Sequence, residues 1–448
     1  MRRPLLWLAL AVAYLCITYA AIAAPNTAMQ SFVPPAPIDL LAFYCAGKTA
    51  GHGGDPYLAE PLRACEHLAF AHAAGHPSRY PDLVVPAPLP PYVLLLLEPF
   101  GALPFEIARA LFCALVVASS FALVAALGAL AREYYLAFAA GVAASVLLPA
   151  LQLGQIASLA IAALALSAWA LRSGRVVTGS GLAALTLIEP HLGVPAVLGV
   201  FICVPRSRRT LALCLAGVAA LTLLAGGLGR NLEYLARVVP AQAAAEGTEF
   251  LGQYSLAAVL AQLGVSERVA LNLGALSYLV MVALGAATAF ALARRSGDAA
   301  FAPAVAPAFA LVGGTYVHIH NVAAALPLAA ILLGATQRKL VPALALLGLM
   351  VPWDVIEKSG VLPWFAAIPP HDAHAALAAV SGAGRLAEDV WGVWIRSGAN
   401  GNWPTEELVL FKLPTWLSLI ALCWLALRAA TAPPAVRPRA AQSLLEPL

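Results

Sequence analysis

The stretch APIDLLAFYCAGKTAGHGGDPY (residues 36–57) gathers Asp39, Tyr44, Lys48, Asp55 and Tyr57 in a chain that is otherwise poor in charge. A carboxylate held beside a hydroxyl can take its proton as that hydroxyl attacks. The same group is also a good helix N-cap, and for Asp39 both readings stand at this point. Asp55 before Pro56-Tyr57 is equally at home initiating a turn. Gly53 and Gly54 supply permissive backbone and form no phosphate-binding fingerprint. Three further places carry polar groups inside apolar sequence: Gln155 in LQLGQIAS, Glu189 and His191 in LIEPHLG, and His318 and His320 in VHIHN. On a helix, residues two apart point to different faces, so one of the two VHIHN imidazoles at most meets a common ligand. The plainer readings are interfacial histidines beside Tyr316, a Gln155 that satisfies helix-terminal backbone, and Tyr44 and Tyr57 as interfacial anchors. HDAH at 371–374 has no third histidine at a compatible spacing, so no metal is expected.

The elements that position these residues follow from composition. The chain has 448 residues, 62% hydrophobic and 11% charged, with a mean hydropathy of +0.84. Soluble domains carry about 25% charged residues, so the chain is expected to be an all-α polytopic membrane protein with the lipid bilayer as its surroundings. The net charge of +4 is small, and no basic tract with interleaved aromatics points to nucleic acid. Of the cysteines, Cys16, Cys113, Cys203, Cys214 and Cys423 lie in apolar runs and read as small core residues. Cys45 and Cys65 share the first large loop; an oxidising compartment would permit a disulfide between them.

A span needs roughly 20 apolar residues. The first apolar segment follows Arg2 and Arg3 and reads as a retained signal anchor with its N-terminus in the cytoplasm, cleavage being the alternative. Further segments fall near 105–131, 134–150, 155–171, 176–204, 209–228, 271–293, 300–317, 321–335, 340–353 and 409–430. The expected architecture is a single membrane domain, 1–430, of about 10–12 helices, followed by a cytoplasmic tail, 431–448. Short basic loops at Arg172 to Arg175, Arg206 to Arg209, Arg294 and Arg295, and Arg338 and Lys339 are assigned to the cytoplasm. Loops 25–104, 229–270 and 354–408 then fall outside, the first with interfacial helices, one of them ending at Glu98-Pro99. Both ends of 176–204 must lie inside, so the run crosses twice as two short legs broken by Pro190. Glu189-Pro190-His191 is the expected tip, facing a bundle interior or cavity rather than lipid.

Several blocks, in order, resemble glycosyltransferase family 87, GT-C-fold enzymes that use polyprenyl-phosphate sugars. They are Asp39-Leu-Leu-Ala-Phe-Tyr44, Gly54-Asp55-Pro56-Tyr57, PPYVLLLLEPFGALP, LLPALQLGQIASLAIAALAL, RSGRVVTGSGLAALTLIEPHLGVPAVL, Gly252-Gln253-Tyr254-Ser255-Leu256 and TYVHIHNVAAALPL. Together they cover residues 35–335, each degenerate and informative through its order.

The resemblance implies a GT-C-like bundle and the transfer of a sugar, mannose by family analogy, to an acceptor hydroxyl with inversion. Donor and acceptor, a polyprenyl-phosphate sugar and a lipid or glycan, would meet on the outer face of a bacterial inner membrane, in cell-envelope synthesis. Asp39 would be the base. The donor phosphate would be met by His320, His318, Arg230, Arg237, Lys48 or His191. Tyr44, Asp55, Tyr57, Gln155, Glu189 and Gln253 would line the substrate pocket. No cofactor is implied, since the leaving group is already a phosphate. The family position before the proline of the 188–190 tip ordinarily carries Lys; here it is Glu189, and His191, His318 or His320 would have to supply the missing positive charge. Tryptophans at 391, 394 and 403 would stack on sugars or anchor at the interface. The rival classes are a transporter or flippase of an amphipathic solute, for which paired inverted repeats are expected and not seen, and a noncatalytic envelope-assembly subunit of the same fold.

Overall fold

The computed structural model describes residues 36–75, 84–247, 253–336, 339–350 and 409–431. The N-terminal apolar segment, Gly252, Arg338, the 354–408 loop with HDAH and its tryptophans, and the tail beyond 431 lie outside the described residues. Among the described residues the chain is all helical, with no strand. Helices α1 (Ile38–Gly51) and α2 (Ala59–Ala74) are followed by α3 (Pro91–Gly101) and the long α4 (Phe105–Ala131). Then come α5 (Tyr135–Leu153), α6 (Ala157–Arg172), α7 (Val176–Ile188), α8 (Pro190–Cys203) and α9 (Pro205–Leu224). Helix α10 covers 227–246 with a π turn at Tyr234–Val238, and α11 is Leu256–Gln262. The chain continues through α12 (Glu267–Ser296), α13 (Phe301–Ala310), α14 (Ile319–Ala335), α15 (Leu340–Leu349) and α16 (Val409–Thr431).

Five of these, α4, α5, α9, α12 and α16, are long and apolar enough to cross a bilayer, so the chain is an all-α polytopic membrane protein. The apolar helices between them are shorter, and their shortness organises the molecule. Glu189 takes the extended backbone (φ −119°, ψ 87°) imposed by a following proline, and Pro190 then opens α8 at the position where its missing N–H costs nothing. The 14 residues of α8 rise about 21 Å, short of the roughly 30 Å hydrocarbon layer. The 176–204 run is therefore two short helical legs that meet at a Glu189-Pro190 tip, each too short to cross a bilayer alone. The 300–335 region departs from two full spans. Helix α13 has only 10 residues, and the backbone from 311 to 318 is irregular before the 3₁₀ start of α14. Non-helical backbone in a membrane bundle is tolerated where it lines a cavity, and both tips line one.

Ion pairs fix the end of the bundle opposite the tips. Arg172 pairs with Asp298 at 2.7 Å and donates to the Leu130 carbonyl at 2.6 Å. Lys339 pairs with Glu133 at 2.6 Å. The ends of α4, α6, α12 and α14 are thereby gathered on one basic face.

At the other end, α1 and α3 cross so closely that a Cβ on Gly47 would lie 2.9 Å from the Leu97 carbonyl carbon, and one on Gly101 would lie 2.6 Å from the Lys48 nitrogen. Helix α3 runs two residues past Pro99, so Glu98-Pro99 does not end it. A disulfide joins Cys45 of α1 to Cys65 of α2. Helix α2 in turn holds the proline-rich segment 84–90, because Glu66 accepts from the Val85 N–H at 2.9 Å. Burial pushes the Glu66 carboxyl up to about 8. The 229–270 segment, expected as a polar loop, is largely helical as α10, α11 and the start of α12.

Candidate active site

A cavity of about 1070 Å³ opens between the two tips, α1, the 84–90 segment, α10 and α12. Asp39 lies in the first turn of α1, whose N-cap is Pro37 and has no side-chain cap. Its carboxylate is therefore free of the capping role and turns into the cavity, where the Gln155 Nε2 donates to Oδ2. Gln155 reaches it from the corner after α5, where Gly154 sits at φ +83°. Burial drives the Asp39 carboxyl up to about 7, outweighing the Gln155 hydrogen bond and the nearby His318, both of which favour the anion.

Each tip delivers imidazole. His191 of α8 lies with Nδ1 3.4 Å from Glu189 Oε2, and its carbonyl accepts from the Tyr278 hydroxyl of α12 at 2.8 Å. His318 and His320 both line the cavity with their rings stacked, 5.1 Å apart and within 8° of parallel. The expectation that only one of them meets a ligand assumed a helix. His318 is instead extended (φ −75°, ψ 160°) ahead of the 3₁₀ turn, and this backbone puts both rings on one side. The turn is pinned from behind: His318 N–H donates to Asn321 Oδ1 at 2.9 Å, and Val317 N–H to Gln253 Oε1 at 2.9 Å.

Several wall residues gave no signal as isolated letters. Glu246 Oε2 accepts from the Tyr316 hydroxyl at 3.0 Å and lies 3.3 Å from His318 Nε2. The Tyr92 hydroxyl donates to the Leu187 carbonyl just before the α7–α8 tip. On α10, Asn231, Leu235, Val239, Gln242 and Glu246 line the cavity, with Tyr234 beside them, and their spacing of three and four is one helical face. That spacing was the available signal.

The other expected residues are placed elsewhere. Lys48 is exposed in the last turn of α1. Tyr44 is buried and donates to the Leu103 carbonyl at 2.7 Å. Tyr57 is buried and donates to the Leu89 carbonyl at 2.7 Å, behind the cavity wall. Asp55 Oδ1 accepts from Tyr57 N–H at 2.9 Å, the turn-initiating geometry, and its other oxygen lies 3.6 Å from Arg237. Arg237 also pairs with Glu233 at 3.1 Å. Arg230 stands on α10 off the cavity wall. Gln253 is fully buried behind the 311–318 turn, its carbonyl accepting from Lys412 Nζ at 2.7 Å. The structure thus brings Asp39, Gln155, Glu189, His191, His318 and His320 into one cavity and leaves Lys48, Arg230, Arg237, Tyr44, Asp55, Tyr57 and Gln253 outside its lining.

The cavity is also open sideways. Val194 of α8, Leu235 of α10 and Leu279 of α12 all line it, yet are 50%, 62% and 64% exposed. These exposed side chains give the cavity an apolar outer edge.

No curated protein and no solved structure matches the chain. A family model, glycosyltransferase family 87, matches residues 89–317, just over half of it. The matched range holds Gln155, Glu189, His191 and the cavity face of α10, while Asp39 precedes it and the two stacked imidazoles follow it. A membrane-embedded bundle with a carboxylate and imidazoles around one cavity is a setting for sugar transfer, and by its sequence the chain belongs to glycosyltransferase family 87.

Proposed function

We propose that the protein transfers a sugar from a polyprenyl-phosphate carrier to an acceptor hydroxyl at the outer face of a bacterial inner membrane. The observation that carries this reading is the placement of Asp39 in a cavity that is polar at its tips and edged by exposed apolar side chains of α8, α10 and α12. In the reaction the acceptor oxygen attacks the anomeric carbon while the bond from that carbon to the phosphate oxygen breaks. The hydroxyl proton passes to the Asp39 carboxylate, and the bonding pair leaves with the polyprenyl phosphate. Attack opposite the leaving phosphate inverts the anomeric centre. His191, His318 and His320 are the groups at hand to meet the phosphate, whose developing charge needs donors aimed at it. An outer-face site agrees with the basic ends of the helices lying away from the cavity.

The test is transfer by the purified protein in lipid nanodiscs, offered labelled mannosyl, glucosyl and arabinosyl prenyl phosphates with a glycolipid acceptor extract. Transfer from at least one lipid phosphate, mannose by preference, and none from the matching nucleotide sugars is the expected result. Transfer from a nucleotide sugar alone overturns the donor assignment. For sidedness, Glu60→Cys on the exposed flank of α2 should be labelled by an impermeant thiol reagent added to intact spheroplasts.

The Gln155 hydrogen bond favours the ionised carboxylate of Asp39. Gln155→Leu therefore raises its proton affinity further, and the acidic limb of kcat/KM, expected near pH 7 in the native enzyme, should move to higher pH. A limb that stays in place would show that the limb belongs to another group.

A further inference from the structure

Among the described residues, no Lys or Arg lines the cavity, whereas three carboxylates do: Asp39, Glu189 and Glu246. If the imidazoles stayed neutral, a phosphodiester would enter among carboxylates with no cation to meet it. Two of the carboxylates stand against imidazoles, Glu189 Oε2 at 3.4 Å from His191 Nδ1 and Glu246 Oε2 at 3.3 Å from His318 Nε2. The remaining ring nitrogens include two that are buried without a hydrogen bond, His191 Nε2 and His320 Nδ1. The Asn321 amide is a neighbour of His191 but is not aligned to bond it. An imidazole removed from water carries charge only opposite an anion, and two stacked rings 5.1 Å apart repel if both are charged with no anion beside them. Among the described residues, His320 alone of the three has no carboxylate beside it and a buried ring nitrogen without a partner, so positive charge on that ring has to arrive together with the ligand.

We propose that the donor phosphate is bound by proton uptake: His320 acquires positive charge as the phosphate enters and, with His191 and His318 beside it, stands in for a fixed cation, with Glu189 and Glu246 as positioning residues that hold His191 and His318. This rests on the lipid-phosphate reading above. It also gives a physical role to the carboxylate that occupies position 189, where a lysine would have supplied a permanent charge.

The other titratable groups facing the imidazoles have to be separated from them. Asp39 faces them from α1, Tyr92 from α3, Tyr234 from α10, Tyr278 from α12 and Tyr316 from the turn before α14. Phenols titrate near pH 10 in water and contribute nothing at neutral pH. Asp39, at about 7, loses its proton in the same window, and its charge also disfavours an anion as pH rises. The Asp39→Asn protein removes that contribution.

The experiment is calorimetric binding of a farnesyl methyl phosphodiester to the full-length protein in nanodiscs between pH 5.5 and 8.5, in buffers of differing ionisation enthalpy. This probe carries one charge throughout and no sugar, so neither its own titration nor sugar identity enters. Affinity should be highest at acid pH and fall by up to about tenfold per pH unit for each proton taken up, with net uptake measured directly from the buffer dependence. The decline should persist in Asp39→Asn. It should move to lower pH in Glu189→Gln, which takes the carboxylate from His191. The double variant His318→Gln, His320→Gln should bind more weakly and with a flatter profile. Glu189→Lys should bind more tightly than the native protein at pH 8.5 and flatten the profile, because its cation is permanent. Binding of the native protein without pH dependence or proton uptake overturns the proposal, as does a decline that vanishes in Asp39→Asn. Absence of binding at any pH overturns instead the lipid-phosphate reading beneath it.

Discussion

Asp39→Asn should lower sugar transfer by about 10²–10⁴-fold, the usual contribution of a positioned general base, while the donor binds at least as tightly as before. The substitution keeps the size of the side chain and an oxygen for the Gln155 amide, so the corner after α5 has no reason to move. What it removes is the ability to take a proton. The native carboxyl sits at about 7, which suits a base that must be ionised to act and still accept a proton readily. Below pH 7 the native enzyme holds this group protonated and kcat/KM should fall; above it the base is free. Residual transfer by Asp39→Asn should therefore lack the acidic limb as well as the rate. Rate and donor affinity are measured separately, by single-turnover transfer from a labelled lipid-phosphate sugar and by calorimetry on the same preparation. Transfer within a few-fold of native would remove Asp39 from the chemistry.

The same comparison separates what the sequence makes legible from what it does not. Apolar runs of the right length located the long helices, because that signal is local and the bilayer enforces it. The 176–204 hairpin was legible for a second local reason: Glu189-Pro190 stops one helix and starts the next. The partners of the site were not legible. Gln155 meets Asp39 across 116 residues, and nothing near either residue announces the other. Lys48, Arg230 and Arg237 looked available as cations because a sequence displays charge without showing where it is spent; Arg237 is engaged by Asp55 and Glu233. For the two imidazoles the spacing misled, since it was judged on a helical template and the backbone at His318 is extended. The 229–270 segment looks like a loop by its polarity, yet it is largely helical, and Asn231, Gln242 and Glu246 of α10 fall on the face that lines the cavity.

Gly154→Ala should cost activity by roughly 10²-fold, the order expected when a reacting group is displaced by about 1 Å, with a clear loss of stability. Two independent penalties act there. Gly154 has φ +83°, a left-handed backbone that costs an L side chain roughly 1–2 kcal/mol. An added Cβ would also lie 2.4 Å from Leu40 Cβ and 2.6 Å from the Leu40 nitrogen, and a contact that includes backbone cannot be relieved by rotating a side chain. Either α1 or the α5 corner must retreat, and these are the two elements that bring Asp39 and Gln155 together. Gly53→Ala is the natural control. That glycine has φ +77° but nothing within 4 Å of an added Cβ, so it carries the backbone penalty without the collision. Both variants should melt at lower temperature than the native protein in detergent, Gly154→Ala by more. Only Gly154→Ala should lose transfer and shift its acidic limb upward, because only there does the carboxyl part from the amide that favours its ionised form. Equal activity in the two variants would mean that the distance between α1 and the α5 corner does not govern the reaction.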